Sequence, residues 1–143
     1  IRGRLTVIES AAGFRVIDDA YNANPKSVSA AIDVLASMPG DTVLVLGDMA
    51  ELGEDAARLH ALIGEKAKQA GINKLFATGE YSRNTVKAFG ADGYWYQNKS
   101  ELINDLKESL KGTETVLVKG SRSAVMEEVV EQILTQNNNK RVV

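Results

Sequence analysis

Two rhythms of apolar residues alternate along the chain. Thr42-Val43-Leu44-Val45-Leu46 and Thr115-Val116-Leu117-Val118 are apolar at successive positions, as expected of strands covered on both faces of a parallel sheet. Lys74-Leu75-Phe76-Ala77-Thr78 reads as a further strand, and Tyr94-Trp95-Tyr96 as one towards an edge. Elsewhere apolar residues recur at three- and four-residue spacing, which predicts helices packed by one face. These sets are Val28, Ile32 and Leu35; Leu59, Leu62, Ile63 and Ala67; Leu102, Ile103, Leu106 and Leu110; and Val125, Met126, Val129, Val130 and Ile133. A helix from about Tyr81 to Phe89 completes the series.

Punctuation agrees with the periodicity. Asn24-Pro25 starts a helix well, because Asn can cap and Pro at the first position loses only an orphaned N–H. Asn98 with Glu101 resembles a capping box. Met38-Pro39-Gly40 and Gly71 close helices. At the start, Leu5 to Glu9 and Phe14 to Asp18 flank the turn-forming Ser10-Ala11-Ala12-Gly13 and predict a hairpin. Strands alternating with helices imply right-handed crossovers. The expected fold is a three-layer, Rossmann-like α/β domain. Its mostly parallel sheet has helices on both faces and an N-terminal antiparallel hairpin strand. One domain over 1–136 is expected, with a polar, fraying 137–143 segment. An opening Ile1-Arg2-Gly3 rather than a Met suggests a piece of a longer protein.

Composition narrows the chemistry. The 17 Lys+Arg and 19 Asp+Glu among 143 residues leave no basic excess, so nucleic acid is not an expected partner. No run is long and apolar enough for a membrane span, and no membrane insertion is expected. Cysteine is absent, which excludes disulfides, thiolate metal sites and cysteine nucleophiles and fits a cytoplasmic location. The single His60 argues against a multi-histidine metal centre and reads as a packed helix residue. Tyr94-Trp95-Tyr96 reads as sheet packing rather than a base-stacking platform. Neither a G-x-x-x-x-G-K-[ST] loop nor a strand-borne G-x-G-x-x-G is present. The chain by itself should not perform phosphoryl transfer, and no catalytic residue or metal ligand is assigned within it.

Ligands of open parallel sheets gather at the carboxyl ends of the strands. Those positions hold Asp18-Asp19-Ala20-Tyr21-Asn22-Ala23-Asn24-Pro25, Gly47-Asp48-Met49-Ala50-Glu51-Leu52-Gly53, Thr78-Gly79-Glu80 and Lys119-Gly120-Ser121-Arg122-Ser123. Two acidic clusters and one basic cluster should therefore face one crevice. Structural readings stand beside this: strand-end turns for Asp18-Asp19, a simple cap for Asn24, turn glycines at Gly47 and Gly53. Arg122 in the first turn of the last helix would oppose the helix dipole and hints at an anionic partner. Phospho-receiver domains carry a comparable order of Asp18-Asp19, Asp48, Thr78 and Lys119. Here only one helix separates Asp19 from Asp48 and Gly follows Lys119, so that reading is disfavoured.

The motifs D-D-A-Y-N-A-N-P at 18–25, V-L-G-D-M-A-E-L-G at 45–53 and V-K-G-S-R-S-A-V-M-E-E-V-V at 118–130 together resemble the C-terminal domain of the Mur ligase family. The likeness covers nearly the whole chain and is nearest the branch that joins D-alanyl-D-alanine to UDP-N-acetylmuramoyl-tripeptide in peptidoglycan-precursor synthesis. Another amino-acid ligase of the same family is the alternative. The resemblance implies ATP-driven formation of an acyl phosphate and attack on it by the incoming amine. ATP and Mg2+ would be held mainly by a central domain that, with an N-terminal domain, lies outside this sequence. It further implies that Asp19 holds the ATP ribose while Tyr21, Asn22 and Asn24 flank the nucleotide. Asp48, Glu51, Lys119, Ser121 and Arg122 would border the amine-substrate pocket. Ala20 and Lys26 depart from the family pattern, which is more polar at the first position and more acidic at the second.

Overall fold

The computed structural model describes residues 5–142, with side chains described through 135. It contains six strands and five helices: β1 (Thr6–Glu9), β2 (Arg15–Asp19), α1 (Pro25–Ala36), β3 (Thr42–Leu46), α2 (Ala56–Gln69), β4 (Lys74–Thr78), α3 (Ser82–Phe89), β5 (Gly93–Tyr96), α4 (Lys99–Ser109), β6 (Thr115–Lys119) and α5 (Glu127–Val142). The sheet order is β1-β2-β6-β3-β4-β5. Only the β1–β2 pair is antiparallel, with Val7 opposite Ile17; β2–β6, β3–β6, β3–β4 and β4–β5 are parallel. The expected α/β class, its hairpin and its edge strand at Tyr94-Trp95-Tyr96 are all present. The expected fraying of 137–143 lies outside the residues with described side chains.

Successive side chains of a strand point to opposite faces, and the core divides accordingly. Ile17, Leu44, Leu46, Leu75, Ala77 and Leu117 meet α1, α2 and α3 on one face. Val16, Val43, Val45, Phe76, Val116 and Val118 meet α4 and α5 on the other. Every residue of β3 and β6 is buried, as continuous apolar runs require. Both predicted caps form. Asn24 accepts from the Ser27 N–H at 2.8 Å while Ser27 Oγ accepts from the Asn24 N–H at 3.0 Å. Asn98 accepts from the Glu101 N–H and returns its own amide to the Glu101 carboxylate, each at 2.9 Å.

Two helices differ from the periodic reading. The buried face of α2 is Ala56, His60, Ile63, Gly64 and Ala67, whereas Leu62 is exposed. A Cβ on Gly64 would lie 2.1 Å from the Thr85 carbonyl, so glycine lets α3 pack directly against α2. The last helix begins only at Glu127. Arg122–Ala124 form a separate 3₁₀ turn, and Val125, placed by its periodicity on the buried face, is exposed at φ 51°. Arg122 is thus not in the first turn of α5, which holds Glu127 and Glu128 in accord with the dipole. The dipole hint of an anion at Arg122 falls away.

At the amino end of the sheet, Glu114 is buried and accepts from the N–H groups of Lys111, Gly112 and Thr113 at 2.9 to 3.2 Å. Burial pushes its carboxyl up, but these backbone donors outweigh it and hold the group below the ordinary carboxylate range. A lowered folded pKa gives stability that is present above the unfolded pKa and lost as pH falls through the folded one. Glu114→Gln should therefore cost about 1–3 kcal/mol at neutral pH, with the difference from wild type shrinking in acid. Urea unfolding at the two pH values reads both quantities; an equal loss at each would remove the charge from the account.

Candidate functional site

All the singled-out loops except that after β1 lie at the carboxyl end of the sheet, because β2 to β6 run parallel. β6 lies between β2 and β3, so Lys119 is flanked by the two acidic loops. The chain leaves β2 and β3 for α1 and α2 on one face, whereas it leaves β6 for α5 on the other. A crevice opens where neighbouring loops part in this way.

On the β2 side, Lys119 Nζ donates to Asp19 Oδ2 and to the Asn22 carbonyl, each at 2.9 Å. The ammonium side chain is 4% exposed and the Asp19 carboxylate 13%. Asp19 Oδ1 has no hydrogen bond among the described residues and remains available at the crevice. Asp18 is buried and accepts from the Ala20 N–H at 3.2 Å; Ala20 itself belongs to the core. The Asn22 side chain accepts from the Ala23 N–H at 2.8 Å, and Asn24 is committed to its cap. The Arg122 guanidinium lies 5.1 Å from the centre of the Tyr21 ring and has no carboxylate partner among the described residues. Arg122 and Lys119 thus stand on the Asp19 side of the crevice, and neither lines the pocket beside β3.

That pocket, of about 330 Å³, is bordered by Asp48, Glu51, Leu52, Tyr81, Ser121 and Ser123, with Met49, Ala50, Gly53 and Ala56 completing its floor. The structure therefore brings together Asp48, Glu51 and Ser121 of the predicted set. Their states differ. The Asp48 carboxylate accepts from the N–H groups of Tyr81 (3.0 Å) and Ser82 (2.9 Å) and from the Ser82 hydroxyl (2.7 Å), so it caps α3 from another loop. Glu51 is exposed and without an ion-pair partner among the described residues. Its φ of 60° is a left-handed conformation unusual for a side-chain-bearing residue. Ser121 and Ser123 share a hydrogen bond of 3.1 Å.

Gly53, at φ +61° with nothing within 4 Å of a built Cβ, is the turn glycine expected, whereas Gly47, Gly79 and Gly120 act by close approach. A Cβ on Gly120 would fall 2.6 Å from Met126 Cγ, and one on Gly47 2.8 Å from its sulfur. Gly79 combines both constraints: its φ is +119°, and a Cβ would sit 2.3 Å from Asp48 Oδ1. Gly79→Ala should lower stability by about 1–3 kcal/mol through backbone strain alone and dislodge the Asp48 cap. A melting temperature like that of wild type would refute the close approach.

Two functional candidates escaped the sequence reading. Tyr81, taken as a helix start, forms a pocket wall. His60, read correctly as packed, stands directly behind the pocket. No periodicity marks either, since their contacts come from other loops.

Comparison with known proteins identifies relatives of the chain as a whole. The family described as Mur ligase, glutamate ligase domain, matches residues 3–122. UDP-N-acetylmuramoyl-tripeptide–D-alanyl-D-alanine ligase of Escherichia coli is 47% identical over 132 residues, spanning 91% of this chain and 29% of that protein. The Bacillus subtilis ligase of the same name is 33% identical over 92% of this chain and 30% of its own length. The chain thus spans under a third of the curated relatives it matches. Among solved structures, MurF of Acinetobacter baumannii superposes with a TM-score of 0.88 at 29% identity, over 94% of this chain and 31% of that one. MurF ligase of Thermotoga maritima in complex with ADP gives 0.86 at 25% identity, over 98% and 32%. With most of its length matched by the family and close relatives at this identity, the chain belongs to the Mur ligase family, as its glutamate ligase domain.

Proposed function

We propose that residues 1–136 are the C-terminal domain of an ATP-dependent, peptide-bond-forming ligase that adds D-alanyl-D-alanine to UDP-N-acetylmuramoyl-tripeptide. The relatives named above carry that activity in their names, and one solved relative holds ADP. The observation that carries the reading is the pocket beside β3, in which Glu51 is the one acidic side chain not already engaged and two seryl hydroxyls face it. A small dipeptide with an ammonium group and methyl side chains suits that lining better than an amino acid bearing an acidic side chain. No described helix is long and apolar enough to cross a membrane, and we place the ligase in the cytoplasm, where its nucleotide substrates are.

Each residue has a role in this scheme. Asp19 Oδ1 accepts from the ribose hydroxyls of ATP, with Lys119 fixing the carboxylate from below. Tyr21 and Asn22 flank the nucleotide, and Asn24 acts through the start of α1. Glu51 receives the dipeptide ammonium; Ser121 hydrogen-bonds its amide. Asp48 shapes the pocket through α3. Arg122, on the Tyr21 side, reaches the dipeptide carboxylate or a phosphoryl oxygen only where the two subsites meet. Mg2+ neutralises phosphate charge when bound, but the described residues include no group of three or more candidate ligands. We assign its binding mainly to the central domain, along with the ATPase machinery, as the family resemblance implies.

The test is amine profiling of the full-length ligase with ATP, Mg2+ and UDP-N-acetylmuramoyl-tripeptide. ADP release with D-alanyl-D-alanine but not with D-glutamate is expected. Equal use of D-glutamate would transfer the chain to another branch of the family. The isolated 143-residue chain should ligate nothing, and turnover by it would overturn the domain assignment.

A further inference from the structure

The inward face of α2 is built from Ala56, Ile63, Gly64 and Ala67, with one exception: His60, 2% exposed. A leucine would fill that volume without polar atoms, so the imidazole must be satisfied where it lies. It is satisfied twice. Nδ1 donates to the Ala56 carbonyl at 2.7 Å, and Nε2 accepts from the Met49 N–H at 3.0 Å. The Met49 N–H directed at Nε2 places the ring proton on Nδ1, facing the Ala56 carbonyl.

The contact with Met49 matters because of its place in the pocket loop. That loop is held at Asp48, whose carbonyl accepts from the Ser121 N–H at 2.9 Å and whose carboxylate is bound by α3. The Met49–His60 bond comes next in the chain. Ala50, Glu51 and Leu52 then pass through the left-handed turn with no further hydrogen bond to another loop among the described residues. His60 is therefore the last fixed point before the Glu51 carboxylate. The same ring backs the other wall, since Tyr81 lies 5.6 Å away, centre to centre, at an interplanar angle of 32°.

We propose that His60 is a positioning residue of this pocket: by accepting the Met49 N–H and backing the Tyr81 ring, it sets Glu51 and Tyr81 for the ammonium end of the incoming amine. His60 does not touch substrate. This rests on the dipeptide-ligase reading for the identity of the amine, and on geometry alone for the positioning.

The experiment uses the full-length ligase and three variants. His60→Leu keeps the volume and removes the acceptor; His60→Gln keeps an acceptor of similar reach; His60→Asn can still meet Ala56 but falls short of Met49. Loss of one buried hydrogen bond should raise the amine KM of His60→Leu and His60→Asn about tenfold, with the ATP KM essentially unchanged. His60→Gln should lie near wild type. Amide hydrogen exchange at Met49 should speed up about tenfold in the Leu and Asn variants only. Equal rises in both KM values, or loss of thermal stability with an unchanged amine KM, would make His60 a core residue and overturn the proposal. If wild type does not use D-alanyl-D-alanine, the dipeptide reading fails. Exchange then decides the positioning: slow exchange at Met49 in His60→Leu overturns it, and fast exchange supports it. Should His60→Leu not fold, His60→Asn against His60→Gln gives the same comparison.

Discussion

Asp19→Ala is expected to lose about 3–5 kcal/mol of stability, because it strands a buried ammonium. Lys119 has two partners, Asp19 and the Asn22 carbonyl, and its side chain is 4% exposed. Removing the carboxylate leaves an almost fully desolvated charge with one neutral acceptor. Such a loss is a large part of the stability of an ordinary domain, so the variant is a poor probe of nucleotide binding by itself. Chemical unfolding of the chain measures the cost directly. A change below about 1 kcal/mol, the value of an exposed pair, would show that water reaches the pair.

The two roles of Asp19 can be separated by removing both charges. A buried ion pair replaced by uncharged groups of similar volume is often neutral in stability. Asp19→Asn with Lys119→Met should therefore recover most of the stability lost in Asp19→Ala. It should not recover ATP affinity if Asp19 Oδ1 accepts from the ribose, since the strong charged acceptor is gone. Recovery of both would confine Asp19 to the fold. Recovery of stability alone would assign it to the nucleotide as well.

How much of this was visible in the sequence differs from element to element. The strands β3 and β6 were legible because burial on both faces writes an uninterrupted apolar run, and the α1 and α4 starts because Asn24 and Asn98 cap locally. The face of α2 was misjudged for a physical reason. Its inner positions are His60 and Gly64, one polar and one without a side chain, chosen by contacts with the Met49 loop and with α3 rather than by hydrophobicity. The start of α5 was misplaced because Val125, a β-branched residue, adopts a left-handed backbone that sequence preference argues against. Lys99 helps to hold it there by donating to the Ala124 and Val125 carbonyls at 2.9 and 3.1 Å and to Glu128 at 2.9 Å. The site loops were identifiable as strand ends, but not which charges were already engaged. Asp48 and Glu51 are near neighbours in one motif, yet one caps a helix and the other is open to solvent. Only tertiary structure distinguishes them.

That distinction leads to the second large effect, in which stability and activity should move in opposite directions. Glu51 sits at φ 60°, a conformation that costs a residue with a Cβ about 1–2 kcal/mol and glycine almost nothing. Its side chain makes no ion pair among the described residues, so removing it forfeits little in the fold. Glu51→Gly should therefore raise stability by about 0.5–1 kcal/mol after the added flexibility of glycine in the unfolded chain is subtracted. In the full-length ligase the same change should lower kcat/KM for the amine about 10- to 100-fold, the effect of losing one charge-assisted hydrogen bond. Glu51→Gln keeps the shape and the strain, and should lose a similar factor with unchanged stability. If Glu51→Gly is destabilising, the loop needs the side chain for its own structure. If both variants keep amine kcat/KM, the ammonium binds elsewhere and the pocket beside β3 is not the amine site. A rise in stability accompanied by loss of amine recognition would mean that this strained turn is retained for what its carboxylate binds, because the fold alone would favour glycine.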